Sequence, residues 1–122
     1  MIDPKLTYAV IGASNNTDKY GYKVFKDLIE KGFNVVAINP NEEKILGRSV
    51  YPTLSKYKGK IDVAIFVLSP KFSLPVLEEI KVLGIKKVWF QPGAESDKAI
   101  KFCEKNNIEY ITNACIMIQN NK

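Results

Sequence analysis

The chain has 122 residues, 46% hydrophobic and 25% charged, the composition of a globular domain with one core and not of a disordered or fibrous chain. Its 18 Lys and Arg outnumber 13 Asp and Glu, and the net charge of +5 favours anionic partners, but the lysines are spread out and not clustered as a nucleic-acid surface requires. There is no histidine and only two cysteines, which excludes a Ser-His-Asp or Cys-His catalytic arrangement within this chain, a disulfide framework and the commonest metal ligand.

Residues 6–11 form a near-continuous apolar run, the pattern of a strand buried on both faces. The run stops at Gly12, and small and polar residues lead through Lys19-Tyr20-Gly21 into a helical pattern. Across 20–31, Val24, Phe25, Leu28 and Ile29 recur at helical spacing, and Gly32 is a natural stop. Residues 33–38 read as a second buried strand, ended by Asn39-Pro40. Residues 41–53 read as a connection with turn chemistry at Gly47 and Pro52, with room for a short strand at 49–51 and a helical turn at 54–57. A third strand is predicted over 61–68, then Ser69-Pro70 and a helix over 71–83 with Leu77, Ile80 and Leu83 inward and Gly84 as its stop. Residues 87–90 give a fourth strand, with Trp89 in the core, closed by Gln91-Pro92-Gly93. Ser96 is the expected N-cap of a helix over 97–105 with Ala99, Ile100 and Cys103 on its inner face. Residues 108–111 give a fifth strand, and Asn113-Ala114-Cys115 leads into a short apolar tail. No apolar run approaches the ~20 residues of a membrane span. The first residues lack the apolar core of a secretory leader, so a cytoplasmic protein is expected.

Strands alternate with helices throughout. The expected architecture is α/β, a Rossmann-like doubly wound domain over 1–122 with a parallel five-stranded sheet in the order 3-2-1-4-5 and helices on both faces. In such sheets ligands bind beyond the carboxyl ends of the strands, where the strand order reverses. The residues leaving the five strands are small, rigid or neutral hydrogen-bonding, and none is a carboxylate. Loops in general favour such residues, but here all five exits converge on one sheet edge.

The first exit carries a phosphate argument. Gly12 permits a tight turn, Ala13 and Ser14 offer N–H groups and a hydroxyl, and the next helix points its positive end at the loop. Lys19 adds a full charge, although Gly12 also fits a bare strand-to-helix turn. Tyr20 either covers the phosphates, stacks on a base or simply begins the helix. The loop lacks the G-x-G-x-x-G fingerprint of dinucleotide sites, and Asn39-Pro40 stands where those sites place an acid for the ribose. A neutral residue there suits a ribose bearing a phosphate, with Lys44 or Arg48 as its counter-charge, unless both are solvated surface.

Gly12-Ala13-Ser14, Lys19-Tyr20-Gly21, Asn39-Pro40, Gly47, Gln91-Pro92-Gly93 and Cys115, taken in order, resemble the small stand-alone CoA-binding proteins. Those are similar to the CoA-binding domain of the succinyl-CoA synthetase α subunit. The resemblance implies that Gly12, Ala13, Ser14 and Lys19 hold the phosphates and that Asn39 and Pro40 border the adenosine. It places Val67, Leu68, Ser69 and Pro70 against the nucleotide or pantetheine and Gln91 near the outer end. Relatives often carry a basic residue after Asn-Pro, where this chain has Asn41, which leaves Lys44 as the candidate for the 3′-phosphate.

The synthetase works through a phosphorylated histidine outside this domain, and this chain has no histidine. The expectation is therefore a carrier, sensor or regulator that binds CoA or an acyl-CoA without catalysis of its own, with no metal and no nucleic-acid or membrane partner. The alternatives are an NAD(P)-binding module of an oxidoreductase or redox regulator, and an interaction subunit of an acyl-CoA ligase acting in trans. A homo-oligomer is left open. Cys115, at the rim, is either a small buried residue or a thiol able to form a mixed disulfide with CoA.

Overall fold

The computed structural model describes residues 3–119; residues 1, 2 and 120–122, included in the domain expected over 1–122, lie outside the described residues. In chain order the elements are β1 (Thr7–Ile11), α1 (Tyr20–Glu30), β2 (Asn34–Ile38), β3 (Lys44–Ile45), β4 (Arg48–Tyr51), β5 (Val63–Phe66), α2 (Ser73–Leu83), β6 (Lys87–Phe90), α3 (Asp97–Lys105), β7 (Glu109–Ile111) and α4 (Ile116–Gln119), with 3-10 turns at Leu54–Lys56 and Pro70–Phe72. They build one seven-stranded sheet in the order β3-β4-β2-β1-β5-β6-β7. All pairs are parallel except β3 with β4.

The alternation along β1 explains both layers. Tyr8 and Val10 face a cluster with Val24, Phe25 and Leu28 of α1 and Ile116 of α4. Ala9 and Ile11 face Leu77 and Ile80 of α2 and Ala99 and Cys103 of α3. Both faces are thus covered, as a parallel sheet requires, and each fully buried large side chain contributes about 1.5–3 kcal/mol. Local chemistry sets the helix ends. Ser96 Oγ accepts the N–H of Ala99 at 3.1 Å, and Gly84 ends α2 in the left-handed region at φ 77°.

The expected strand order is corrected. The third predicted strand, now β5, pairs with β1 and not outside β2, so the five predicted strands run 2-1-3-4-5. The place outside β2 is filled by β4, which pairs parallel through Ala37↔Val50 and Ile38↔Tyr51. The segment expected to be mainly a connection folds as a β3–β4 hairpin, turning through Leu46 and Gly47 at φ 52° and 76°. Two positive φ values in a two-residue loop are the type I′ geometry that matches strand twist. With that edge occupied, the chain crosses back to the free side of β1, and the order reverses between β1 and β5. Leu83 is a second correction: it is 45% exposed, because the inward stripe of α2 runs through Ser73, Leu77 and Ile80 and the helix ends before its next turn.

Cys103 lies wholly within the core. Burial, helped by the nearby Glu104 carboxylate, pushes its thiol from the ordinary 9.0 up to about 11. Above pH 9.0 the unfolded chain releases this proton while the native chain keeps it until about 11, so its stabilising contribution is lost as pH rises through that window. Denaturation midpoints across this range should fall with rising pH. At about pH 8 a thiol reagent should modify one cysteine per native chain, the partly exposed Cys115, and reach Cys103 only after unfolding.

Candidate functional site

The reversal point sits between the carboxyl ends of β1 and β5. Gly12 donates to Ile38 O at 3.0 Å, Val67 to Ile11 O at 2.9 Å and Gln91 to Phe66 O at 3.1 Å, so pairing runs one residue past the strands and holds the exits level. Gly12 turns at φ 102°, and a Cβ there would lie 3.2 Å from the carbonyl carbon of Val67. A Cβ on Gly21 would overlap the carbonyl oxygen of Gly12. Two glycines therefore let the β1 exit, the β5 exit and the first turn of α1 meet backbone to backbone.

The loop between β1 and α1 is braced from within. Ser14 Oγ accepts the N–H of Asn16, and Asn16 Oδ1 that of Asp18, both at 3.0 Å. Asn15 Nδ2 donates at 2.8 Å to both Glu42 Oε1 and the Lys44 carbonyl, and its N–H donates to Glu42 Oε2 at 3.1 Å. These bonds, side chain first, hold the Glu42 carboxyl below its ordinary range, with a smaller contribution from Lys19. A depressed carboxyl keeps its stabilising contribution above its unfolded value and loses it as pH falls through the folded one, so the brace holds at neutral pH and fails in acid. No side chain caps the amino end of α1 and no acidic residue lies in its first turn. That end keeps the positive partial charge of the helix, with Lys19 at the N-cap.

Two expected site residues turn out to be braces. Asn39 Nδ2 donates to Ala13 O at 2.7 Å, and its Oδ1 accepts the N–H of Asn41 at 2.8 Å, which joins the β1 and β2 exits. Gln91, only 4% exposed, accepts the N–H of Ile116 at 2.9 Å and donates to Cys115 Sγ at 3.3 Å. Trp89 Nε1 donates to Ala114 O at 2.8 Å, so β6 pins the start of α4 from two points.

Over this edge lies a cleft of about 820 Å³, within the range of nucleotide-sized sites. Of the expected residues, Gly12, Ser14, Lys19, Tyr20, Asn39, Pro40, Val67, Leu68 and Ser69 line it. An adjoining chamber of about 360 Å³ shares Tyr20, Val67, Leu68 and Ser69 and adds Gln91, Pro92, Gly93, Ala94 and Cys115. No residue lining this second chamber is charged. Ala13 is fully buried behind the loop and contributes its carbonyl to Asn39. Lys44 on β3 and Pro70 at the start of its 3-10 turn lie outside both linings. The charged side chains of the larger cleft are Asp18, Lys19 and Glu79.

Sequence reasoning missed the far wall, made by Pro52, Thr53 and Leu54 after β4 and by Phe72, Val76 and Glu79. The last three, spaced four and three residues apart, share one side of the path from the Pro70 turn into α2, a signal the chain does carry. Gly21 was read only as part of a motif, and its packing against Gly12 was not foreseen.

The family model of the CoA binding domain matches residues 6–121 of this chain. The chain belongs to that family. The CoA-binding domain is 42% identical over 81 residues to the α subunit of ADP-forming acetate–CoA ligase II of Pyrococcus furiosus, a match that covers 66% of this chain and 18% of the subunit. It spans about a fifth of the length of such ligase subunits. Among solved structures it superposes on a conserved hypothetical protein from Pyrococcus furiosus with TM-score 0.90 and 43% identity, covering 93% of this chain and 98% of that one. A hypothetical protein from Pyrococcus horikoshii OT3 gives TM-score 0.89 and 31% identity over 93% of this chain and 80% of that one. Among the described residues of the CoA-binding domain, no group of three or more metal-ligating side chains could hold a metal ion, and no helix is long and apolar enough to cross a membrane.

Proposed function

We propose that the cleft binds coenzyme A or an acyl-CoA and that this chain serves as a carrier, sensor or regulatory module without catalysis of its own. The observation that carries the reading is the continuity of two unlike spaces. An anion site at the amino end of α1, beside Lys19, opens into the uncharged chamber formed by Val67, Leu68, Gln91 and Ala94. Coenzyme A has that order of parts, a pyrophosphate followed by an uncharged pantetheine arm. In this arrangement Gly12, Ser14, Gly21 and Lys19 receive the pyrophosphate. Pro40, Leu54 and Val76 border the adenosine, and Val67 to Ser69 guide the arm toward Gln91 and Cys115. Asn39 lines the cleft beside Pro40 and is held there by its hydrogen bond to the buried Ala13.

The helix end and the lysine each contribute on the order of 1 kcal/mol, contacts that suit micromolar binding better than nanomolar. Lys19→Ala should weaken CoA about five- to tenfold in titration calorimetry without moving the melting temperature, since Lys19 is exposed. Calorimetry with CoA and NAD tests the reading itself. CoA should bind and NAD should bind far more weakly, and equal weak binding of the two would remove the assignment.

The ligase α-subunit relatives support a second role, in which the domain presents its ligand to an acyl-CoA ligase in trans. Co-purification with a ligase subunit that depends on CoA would favour it.

A further inference from the structure

We infer that the adenosine end of the cleft is built for a ribose that offers hydrogen-bond donors and not for one that carries a 3′-phosphate, with Glu79 as the residue that sets this preference. The inference rests on the reading that the cleft holds a CoA-type nucleotide. The carboxylate of Glu79 is fixed in the far wall. Its Oε1 accepts the N–H of Leu54 at 3.3 Å, and its Oε2 accepts the N–H of Ser55 at 3.2 Å and the Ser55 hydroxyl at 2.7 Å. A carboxylate held in this way can only accept, so it suits ribose hydroxyls and the exocyclic amine of adenine.

A phosphate in the same space meets like charge. Glu79 brings a carboxylate to this wall, while the single ammonium of the lining, Lys19, stands next to Asp18 at the amino end of α1, where the pyrophosphate belongs. The basic residues expected to meet a ribose phosphate are elsewhere. Lys44 lies on β3 and Arg48 on β4, both outside the lining, and the residue after Pro40 that does face the cleft is the neutral Asn41. A paired cation–phosphate contact raises affinity by about tenfold or more, and nothing among the described residues of the lining besides Lys19 supplies one. Dephospho-CoA, which keeps the free hydroxyl, is therefore bound at least as tightly as CoA.

Titration calorimetry with CoA and with dephospho-CoA, at low and at moderate ionic strength, tests this on the wild-type chain. The expected result is a dissociation constant for dephospho-CoA equal to or below that for CoA, with a ratio that does not shift toward CoA as salt is lowered. Glu79→Gln, which removes the charge and keeps an acceptor, should move the ratio about threefold or more toward CoA. CoA binding about tenfold tighter than dephospho-CoA, by a margin that grows at low salt, would overturn the inference and leave the CoA reading intact. Binding of neither ligand would overturn the CoA reading and this inference with it.

Discussion

Replacing Gly21 by Ala should lower the melting temperature by roughly 5–15 °C, the effect of about 1–3 kcal/mol of overpacking in a domain of this size. Helix propensity points the other way, since Ala is favoured over Gly in a helix interior by about 1 kcal/mol. The steric term decides because the new methyl group has nowhere to go. Its position clashes with the carbonyl oxygen of Gly12 and lies 3.0 Å from the Gly12 carbonyl carbon, and both belong to backbone that cannot rotate away. Relief requires the amino end of α1 to lift off the β1 exit, which also opens the anion site, so CoA affinity should fall with stability. Gly32→Ala is the contrast. Its φ is 84° but its Cβ would meet nothing within 4 Å, so only backbone strain of about 1 kcal/mol is expected. An unchanged or raised melting temperature for Gly21→Ala would show that the close approach does not hold α1 in place.

Gln91→Ala should be the second large change. Truncation strands the buried N–H of Ile116 and removes the donor to Cys115 Sγ. An orphaned buried donor costs about 1–3 kcal/mol, and the space left by the side chain adds to it. The loss should be local before it is global, because Gln91 and Trp89 hold the turn into α4. Amide exchange at Ile116 to Ile118 should accelerate, and Cys115 should react faster with a thiol reagent, at temperatures where the β1 and β5 amides remain protected. Unchanged Cys115 reactivity in the variant would remove Gln91 from its bracing role.

The contrast between these two residues shows what the sequence discloses. The strands β1, β2, β5 and β6 were legible because each is apolar on both faces, as Ala9 and Val10 show by being buried in opposite layers. Ser96 was legible as a cap because capping is local, complete within three residues. The strand order was not, since it depends on which edge is already taken. The deciding element, β4, is four residues long and buries none of them fully, so its apolar signal is weak. Glu79 was hidden for a related reason. Its role comes from an acceptor position against Leu54 and Ser55, 25 and 24 residues away, and no local pattern announces it. Asn39 and Gln91 were singled out as ligand contacts, and the structure commits their polar atoms to Ala13, Asn41, Cys115 and Ile116. Their neutral side chains at strand exits are fitted to joining neighbouring exits.

The most direct test of the account follows backbone amide resonances as CoA is titrated into the protein. The largest shifts are predicted at Gly12, Ser14, Tyr20 and Gly21, where the pyrophosphate meets the amino end of α1, with a second group at Val67, Leu68 and Gln91 along the arm. Shifts confined to another surface, or none at millimolar CoA, would contradict the assignment of this cleft as the CoA site.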